Sequence, residues 1–148
     1  MRLGRWVDWN GDGSLWVLNV ALACCTLEFD AAAALRPEFV EGRRTAVELV
    51  PLLHDHSQVA VVISGTVTDR LAPAVAAIVD GCEQQTGRRP TVVSFGACAS
   101  SGGPYWDSYA VTKGIDQLLA VDEYVPGCPP PPEALSAVLD EIAGRVKL

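Results

Sequence analysis

Val59-Ala60-Val61-Val62-Ile63 is an unbroken apolar run in which only Ala60 lacks a β-branch. A strand with one wet face alternates apolar and polar residues, whereas a continuous run signals burial on both faces, as in a parallel sheet covered by helices. Outward from this run, residues 16–21 and 91–95 read as further strands, 121–125 as a short strand, and 46–50 as a candidate short strand. Between them, the alanine-rich stretch 26–35 and residues 70–79 read as helices, and 111–119 as a weak one. Residues 132–146 close the chain as an amphipathic helix with Pro132 near its start. Strands alternating with helices imply a parallel sheet with helices on its faces.

The pattern predicts a compact α/β domain of the flavodoxin-like type. A length of 148 residues suits one domain, 1–148, with 1–13 as a peripheral N-terminal segment. Apolar residues make up 49% and charged residues 20%, a globular composition. A mean hydropathy of +0.22 is high for a small domain and implies surface buried against partners. The net charge of −7 excludes a nucleic-acid footprint. Lysine is confined to Lys113 and Lys147; the arginine bias fits interface ion pairs and high-GC codon usage equally. Trp6, Trp9 and Trp16 make the start aromatic, which suits a partner surface, although Trp16 also suits the core.

Residues 15–25 follow Arg2 and Arg5 and superficially resemble a lipoprotein signal ending at Cys24. Asp8, Asp12 and Asn19 interrupt that pattern, and the run is too short to span a bilayer. The expectation is an intracellular protein, where five cysteines serve metal binding or reactivity more often than disulfides.

Cys24 and Cys25 follow the first strand, Cys98 follows the strand ending at Phe95, and Cys128 follows the strand ending at Val125. In a parallel sheet all strand C-termini lie along one edge, where ligands bind. Four thiols from three distant segments thus meet at one edge, while Cys82, at the far end of a helix, falls near the opposite edge. A [4Fe–4S] cube takes one thiolate per iron, four in all. Gly96 and Gly102-Gly103 would let backbone approach a bulky inorganic core, and Pro126-Gly127-Cys128-Pro129 is a rigid turn around a ligand. Structural zinc is the main rival, but its usual Cys-x2–4-Cys knuckles are missing. Buried apolar thiols are the bland alternative.

Other motifs read more plainly. Ser101, Tyr109 and Lys113 mimic a short-chain dehydrogenase site, but the glycine-rich nucleotide loop such an enzyme needs is replaced by Ala23-Cys24-Cys25-Thr26. Residues 64–68 resemble a phosphate-cradling loop, with helix capping by Thr68 or Asp69 the favoured reading. His54 and His56 suit a solvated turn better than a metal site. Glu28 suits either proton-coupled tuning of a cluster or stabilisation of a helix start.

Ser14-Leu15-Trp16 followed by Leu22-Ala23-Cys24-Cys25-Thr26-Leu27-Glu28 resembles the start of the B subunit of respiratory complex I, a family related to the small subunits of membrane-bound hydrogenases. Ser64-Gly65-Thr66-Val67-Thr68 with Ala72-Pro73-Ala74-Val75, Gly96-Ala97-Cys98-Ala99-Ser100-Ser101-Gly102-Gly103, and Tyr124-Val125-Pro126-Gly127-Cys128-Pro129-Pro130 resemble the same family in the same order. The adjacent Cys24-Cys25 pair discriminates, since hydrogenase small subunits usually carry Cys-x-x-Cys there.

The resemblance implies an electron-transfer subunit with one terminal [4Fe–4S] cluster on Cys24, Cys25, Cys98 and Cys128. Its implied partners are a ferredoxin-like subunit, a hydrogenase-type large subunit, and quinone as acceptor. It further implies a cytoplasmic location, peripheral on the inner membrane, with membrane contact only through partners. A subunit of a hydrogenase-related oxidoreductase is the alternative within the class, and a flavodoxin-like nucleotide-binding protein the alternative outside it. Two stretches depart from the family. Its glycine-bearing loop with an Arg-Tyr-Asp core is replaced by residues 29–39, where only Arg36 is in register, Pro37 and Glu38 replace the Tyr and Asp, and Ala31-Ala32-Ala33-Ala34 favours continuous helix. Its Ser-Pro-Arg-Gln is replaced within residues 53–58. The expectation is an intact cluster with weak or absent quinone reduction.

Overall fold

In the computed structural model, which describes residues 6–36 and 46–145, the apolar run lies in the middle strand of a five-stranded sheet. The strands are β1 Trp6–Asp8, β2 Leu15–Ala21, β3 Gln58–Ser64, β4 Thr91–Phe95 and β5 Glu123–Val125, side by side in that order. Strands β2 to β5 are parallel, and β1 runs antiparallel to β2. The helices are α1 Cys25–Ala34, α2 Ala46–Leu49, α3 Ala72–Thr86, α4 Ala97–Ser101 and α5 Pro132–Gly144.

Alternate strand residues feed two cores, as the period-2 pleat requires. Trp16, Leu18, Val20, Val61, Ile63 and Val92 meet Leu49 of α2 and Val75, Val79 and Cys82 of α3. Leu15, Val17, Val62, Val93, Phe95 and Val125 meet Phe29, Ala32 and Ala33 of α1 and Leu135, Leu139 and Ile142 of α5. The last three stand at i, i+4 and i+7, one stripe of a helix, and are fully buried; each stabilises by about 1.5–3 kcal/mol relative to exposure. The buried alanines of α1 let it lie close beside α5.

The chain therefore leaves β2 toward one face and β3 toward the other, the reversal that opens a crevice at the C-terminal edge of a doubly wound sheet. In the flavodoxin-like order a parallel strand lies outside the first one; here antiparallel β1 takes that place. This explains two corrections. Residues 46–50, expected as a strand, find the edge occupied and form α2 and the start of a 3-10 turn, Val50–Leu52. Residues 6–8 of the segment expected to be peripheral form the edge strand; Trp6 is buried in the core of Trp16, Trp9 in the core of Phe29, and Val7 is buried as well. These tryptophans are this chain's own core, not a partner surface.

Three helix expectations also change. Residues 111–119 contain no α-helix: Val111 bridges to Thr68, Gly114 turns at φ +102°, and only a 3-10 turn, Ile115–Gln117, follows. Helix α3 continues past the expected end at residue 79, through Gly81, and stops at Gly87, φ +67°. Helix α4 was not foreseen. Arg2, Arg5, the Pro37, Glu38 and Phe39 stretch, and the expected end of the last helix at residue 146 lie outside the described residues.

Candidate metal centre

Each thiol sits where a strand hands over to the next segment. Cys24 and Cys25 begin α1, immediately after β2. Cys98 lies in the first turn of α4, after β4, and Cys128 lies in the turn after β5. Backbone hydrogen bonds tie these turns into one edge. Gly96 N–H donates to Val125 O at 2.9 Å and Ala97 N–H to Gly127 O at 2.8 Å, joining the Cys98 and Cys128 turns. Leu22 and Ala23 N–H both donate to Ser64 O, at 3.0 and 3.2 Å, fixing the Cys24-Cys25 turn to the end of β3.

Glycine supplies the remaining closeness. A Cβ on Gly96, which turns at φ +100°, would lie 2.5 Å from Cys25 Sγ and 3.7 Å from Gly127 O. Gly96 thus stands between the first cysteine turn and the last. A Cβ on Gly103 would lie 3.0 Å from both the nitrogen and the Sγ of Cys98. Gly102, grouped with Gly103 in the sequence, packs instead against Trp106.

Cys25 and Cys98 are buried, at 2% and 6% exposure, while Cys24 and Cys128 are exposed. Burial, chiefly, pushes the Cys25 thiol up to about 12; the charge and hydrogen bond of Cys24 and the charges of Cys98 and Cys128 push the same way. Cys25 therefore lies within electrostatic reach of the other three thiols. Four thiolates in this setting repel unless a cationic group neutralises them, as bound metal does.

Four thiols are the number that an iron–sulfur cube takes, one per iron. Among the described residues no group of three or more His, Cys, Asp or Glu side chains is arranged to hold a single metal ion. Tetrahedral zinc would demand sulfurs about 3.8 Å apart, from Zn–S bonds of ~2.3 Å. A cube with one thiolate per iron asks for a wider set. The Thr26 hydroxyl, next to Cys25, is buried without a hydrogen-bond partner among the described residues. The glycines at Gly96 and Gly103 leave the sulfurs unobstructed.

The remaining cysteine and the secondary motifs fall elsewhere. Cys82 is buried inside α3, on the core side away from α1, and its thiol is pushed up to about 11 by burial alone. Thr68 Oγ1 accepts from Leu71 N–H at 3.3 Å, a capping-type bond before α3, and Asp69 accepts from Thr112 Oγ1 at 2.9 Å. Tyr109 and Lys113 line an open groove of about 290 Å³ that does not include Ser101. His54 and its neighbours form a turn closed by His54 N–H to Ser57 Oγ, 3.1 Å. Glu28 is half-buried in the first turn of α1, where its charge favours the helix N-terminus.

Sequence reasoning missed the Thr26 hydroxyl, because the burial of one oxygen is a tertiary fact. It also missed the clamp at the far end of α1. There Arg36 Nη2 donates to Asp140 Oδ1 at 2.7 Å, and its guanidinium lies 4.6 Å from the Trp9 ring centre.

Fold and edge together define a doubly wound α/β domain with four cysteines in the turns at the C-terminal ends of its parallel strands. Residues 23–142 match the family described as NADH ubiquinone oxidoreductase, 20 Kd subunit, and the chain belongs to that family. It is 49% identical over 130 residues to the B subunit numbered 1 of the NADH-quinone oxidoreductase of Salinispora tropica, covering 87% of this chain and 64% of that protein. It is 48% identical over 130 residues to the B subunit numbered 2 of the same enzyme in Streptomyces griseus subsp. griseus, covering 87% and 52%. With the corresponding B subunit of Phocaeicola vulgatus it shares 37% over 142 residues, covering 96% and 68%. The chain thus spans roughly half to two thirds of the length of these relatives. A chain in the solved structure of the membrane-bound sulfane sulfur reductase, an archaeal respiratory membrane complex, has the same fold. Its TM-score is 0.61 at 21% identity, over 92% of this chain and 72% of that one.

Proposed function

We propose that this chain is an electron-transfer subunit that holds one [4Fe–4S] cluster on Cys24, Cys25, Cys98 and Cys128, inside a larger assembly of the NADH:quinone oxidoreductase type. The reading is carried by the hydrogen-bonded joining of the Cys98 and Cys128 turns, with Gly96 seated against the Cys25 sulfur. When bound, the cluster supplies a one-electron store. The chain's own residues do the rest. Cys25 and Cys98 hold one side away from water, and Cys24 and Cys128 leave the other side at the surface, where a partner's redox centre or substrate can approach. Solvent exposure and hydrogen bonds to sulfur then set the potential.

Family membership supports a ferredoxin-like subunit as donor and a hydrogenase-type large subunit as the neighbour at which electrons leave, to quinone or another acceptor. Among the described residues no helix is long and apolar enough to cross a membrane. The location we propose, from the family's character, is peripheral on the cytoplasmic side of the membrane, held there by partner subunits.

The test is to purify the assembled complex anaerobically and follow this subunit's cluster by electron paramagnetic resonance during reduction through the natural donor. A signal that appears on reduction and disappears in the Cys98→Ala complex supports the reading. A fully active complex with no iron on this chain overturns it.

A further inference from the structure

We infer that Thr26 is a positioning residue for the cofactor: its hydroxyl donates a hydrogen bond to sulfur at the thiol-lined edge and thereby raises the reduction potential. The inference rests on the cluster reading above. Buried hydroxyls are almost always hydrogen-bonded, because one left unpaired keeps its full desolvation penalty. Two buried side-chain polar atoms lack a partner among the described residues, Trp16 Nε1 and Thr26 Oγ1. The first belongs to the N-terminal half of β2, remote from the thiols; the second belongs to the residue directly after Cys25.

A threonine in a helix usually returns its hydroxyl to the carbonyl three or four residues back. At Thr26 that route is not used. Ala23 O already accepts the Thr26 N–H at 3.0 Å, and Leu22 lies before the helix with its own N–H bound to Ser64 O. Thr26 directly follows the two cysteines that begin α1, Cys24 and Cys25. A neutral thiol is a weak acceptor, whereas metal-bound thiolate and sulfide carry negative charge and accept strongly. The orphaned donor thus has an acceptor once the edge holds its cofactor. Reduction adds negative charge to those sulfurs, so donation favours the reduced state.

Valine matches threonine in shape and lacks the donor, which separates the possibilities. In the iron-free chain Thr26→Val should leave the thermal unfolding midpoint unchanged or raise it, since no protein partner is lost. In the loaded protein Thr26→Val and Thr26→Ala should keep iron and sulfide at wild-type content and shift the midpoint potential downward. The shift should be on the order of tenfold in the reduction equilibrium, about 59 mV for a one-electron couple. Thr26→Ser should restore the wild-type potential. A lower unfolding midpoint for iron-free Thr26→Val would mean the hydroxyl has a protein partner and would overturn the inference. So would unchanged potentials in fully loaded Val and Ala variants. Failure of the wild type itself to take up iron and sulfide would instead overturn the cluster reading, and this inference with it.

Discussion

The sulfur of Cys25 occupies the space that a side chain on residue 96 would need: a Cβ built on Gly96 lies 2.5 Å from Cys25 Sγ. No real Cβ tolerates that distance, and Gly96 also adopts φ +100°, a conformation L-residues avoid. The contact links the turn after β4 to the first cysteine turn, so the geometry of the thiol edge depends on a residue with no chemistry of its own.

Gly96→Ala is therefore expected to displace Cys25 or the β4 turn and to reduce iron and sulfide uptake several-fold. Gly81→Ala, in the open middle of α3, is the control. It should stabilise by up to about 1 kcal/mol and leave uptake unchanged. Iron analysis after anaerobic reconstitution, alongside thermal melts, checks both.

Cys82 should behave as a packing residue. Burial raises its thiol to about 11 against an ordinary 9.0, so its thiolate fraction at neutral pH falls on folding. Iodoacetamide labelling at Cys82 should be slow in the folded protein and rise to the ordinary rate in denaturant. Cys82→Ala should leave iron uptake intact. Fast labelling of the native protein would place the thiol in water.

The clamp of Arg36, Asp140 and Trp9 ties the end of α1 to α5 and to the N-terminal segment. Asp140 is half exposed, so the ion pair is a surface one. Adding Trp9 Nε1, which donates to the same Oδ1 at 3.3 Å, Asp140→Ala should cost about 1 kcal/mol in chemical denaturation. Uptake of iron should not change, because the clamp lies at the opposite end of α1 from the thiols.

Asp8 accepts Gly11 N–H at 3.0 Å and Gly13 N–H at 2.9 Å, yet its pKa is raised, burial outweighing those two bonds. An acid whose folded pKa exceeds its unfolded one takes up a proton on folding between the two values. Its contribution to stability is thus lowest above the raised pKa and grows as pH falls from there toward 3.8. Asp8→Asn should flatten that part of the stability profile, read as unfolding free energy against pH.

Much of this fold was legible because burial imprints period on sequence. The run at 59–63 announced a covered parallel strand, and the spacing of Leu135, Leu139 and Ile142 announced an amphipathic helix. The cysteines were legible because position after a strand fixes the edge. What escaped was short or tertiary. Three residues of β1 carry no period, and their pairing with β2 removed the edge a strand at 46–50 would have used. Helix α4 is a single turn or so between two positive-φ glycines, Gly96 and Gly102. The alanine run did give continuous helix through Ala34, but the engagement of Arg36 by Asp140 depends on α5, over a hundred residues away in sequence.

The measurement that bears most directly on the central claim is the iron and acid-labile sulfide content of the full chain after anaerobic reconstitution, taken across a set of single cysteine variants. The expected result is about four of each per chain for the wild type and for Cys82→Ala, with lower loading or an unstable cluster for the Ala variants of Cys24, Cys25, Cys98 and Cys128. A single tightly held zinc, or a cluster that needs Cys82 while Cys25 is dispensable, would contradict it.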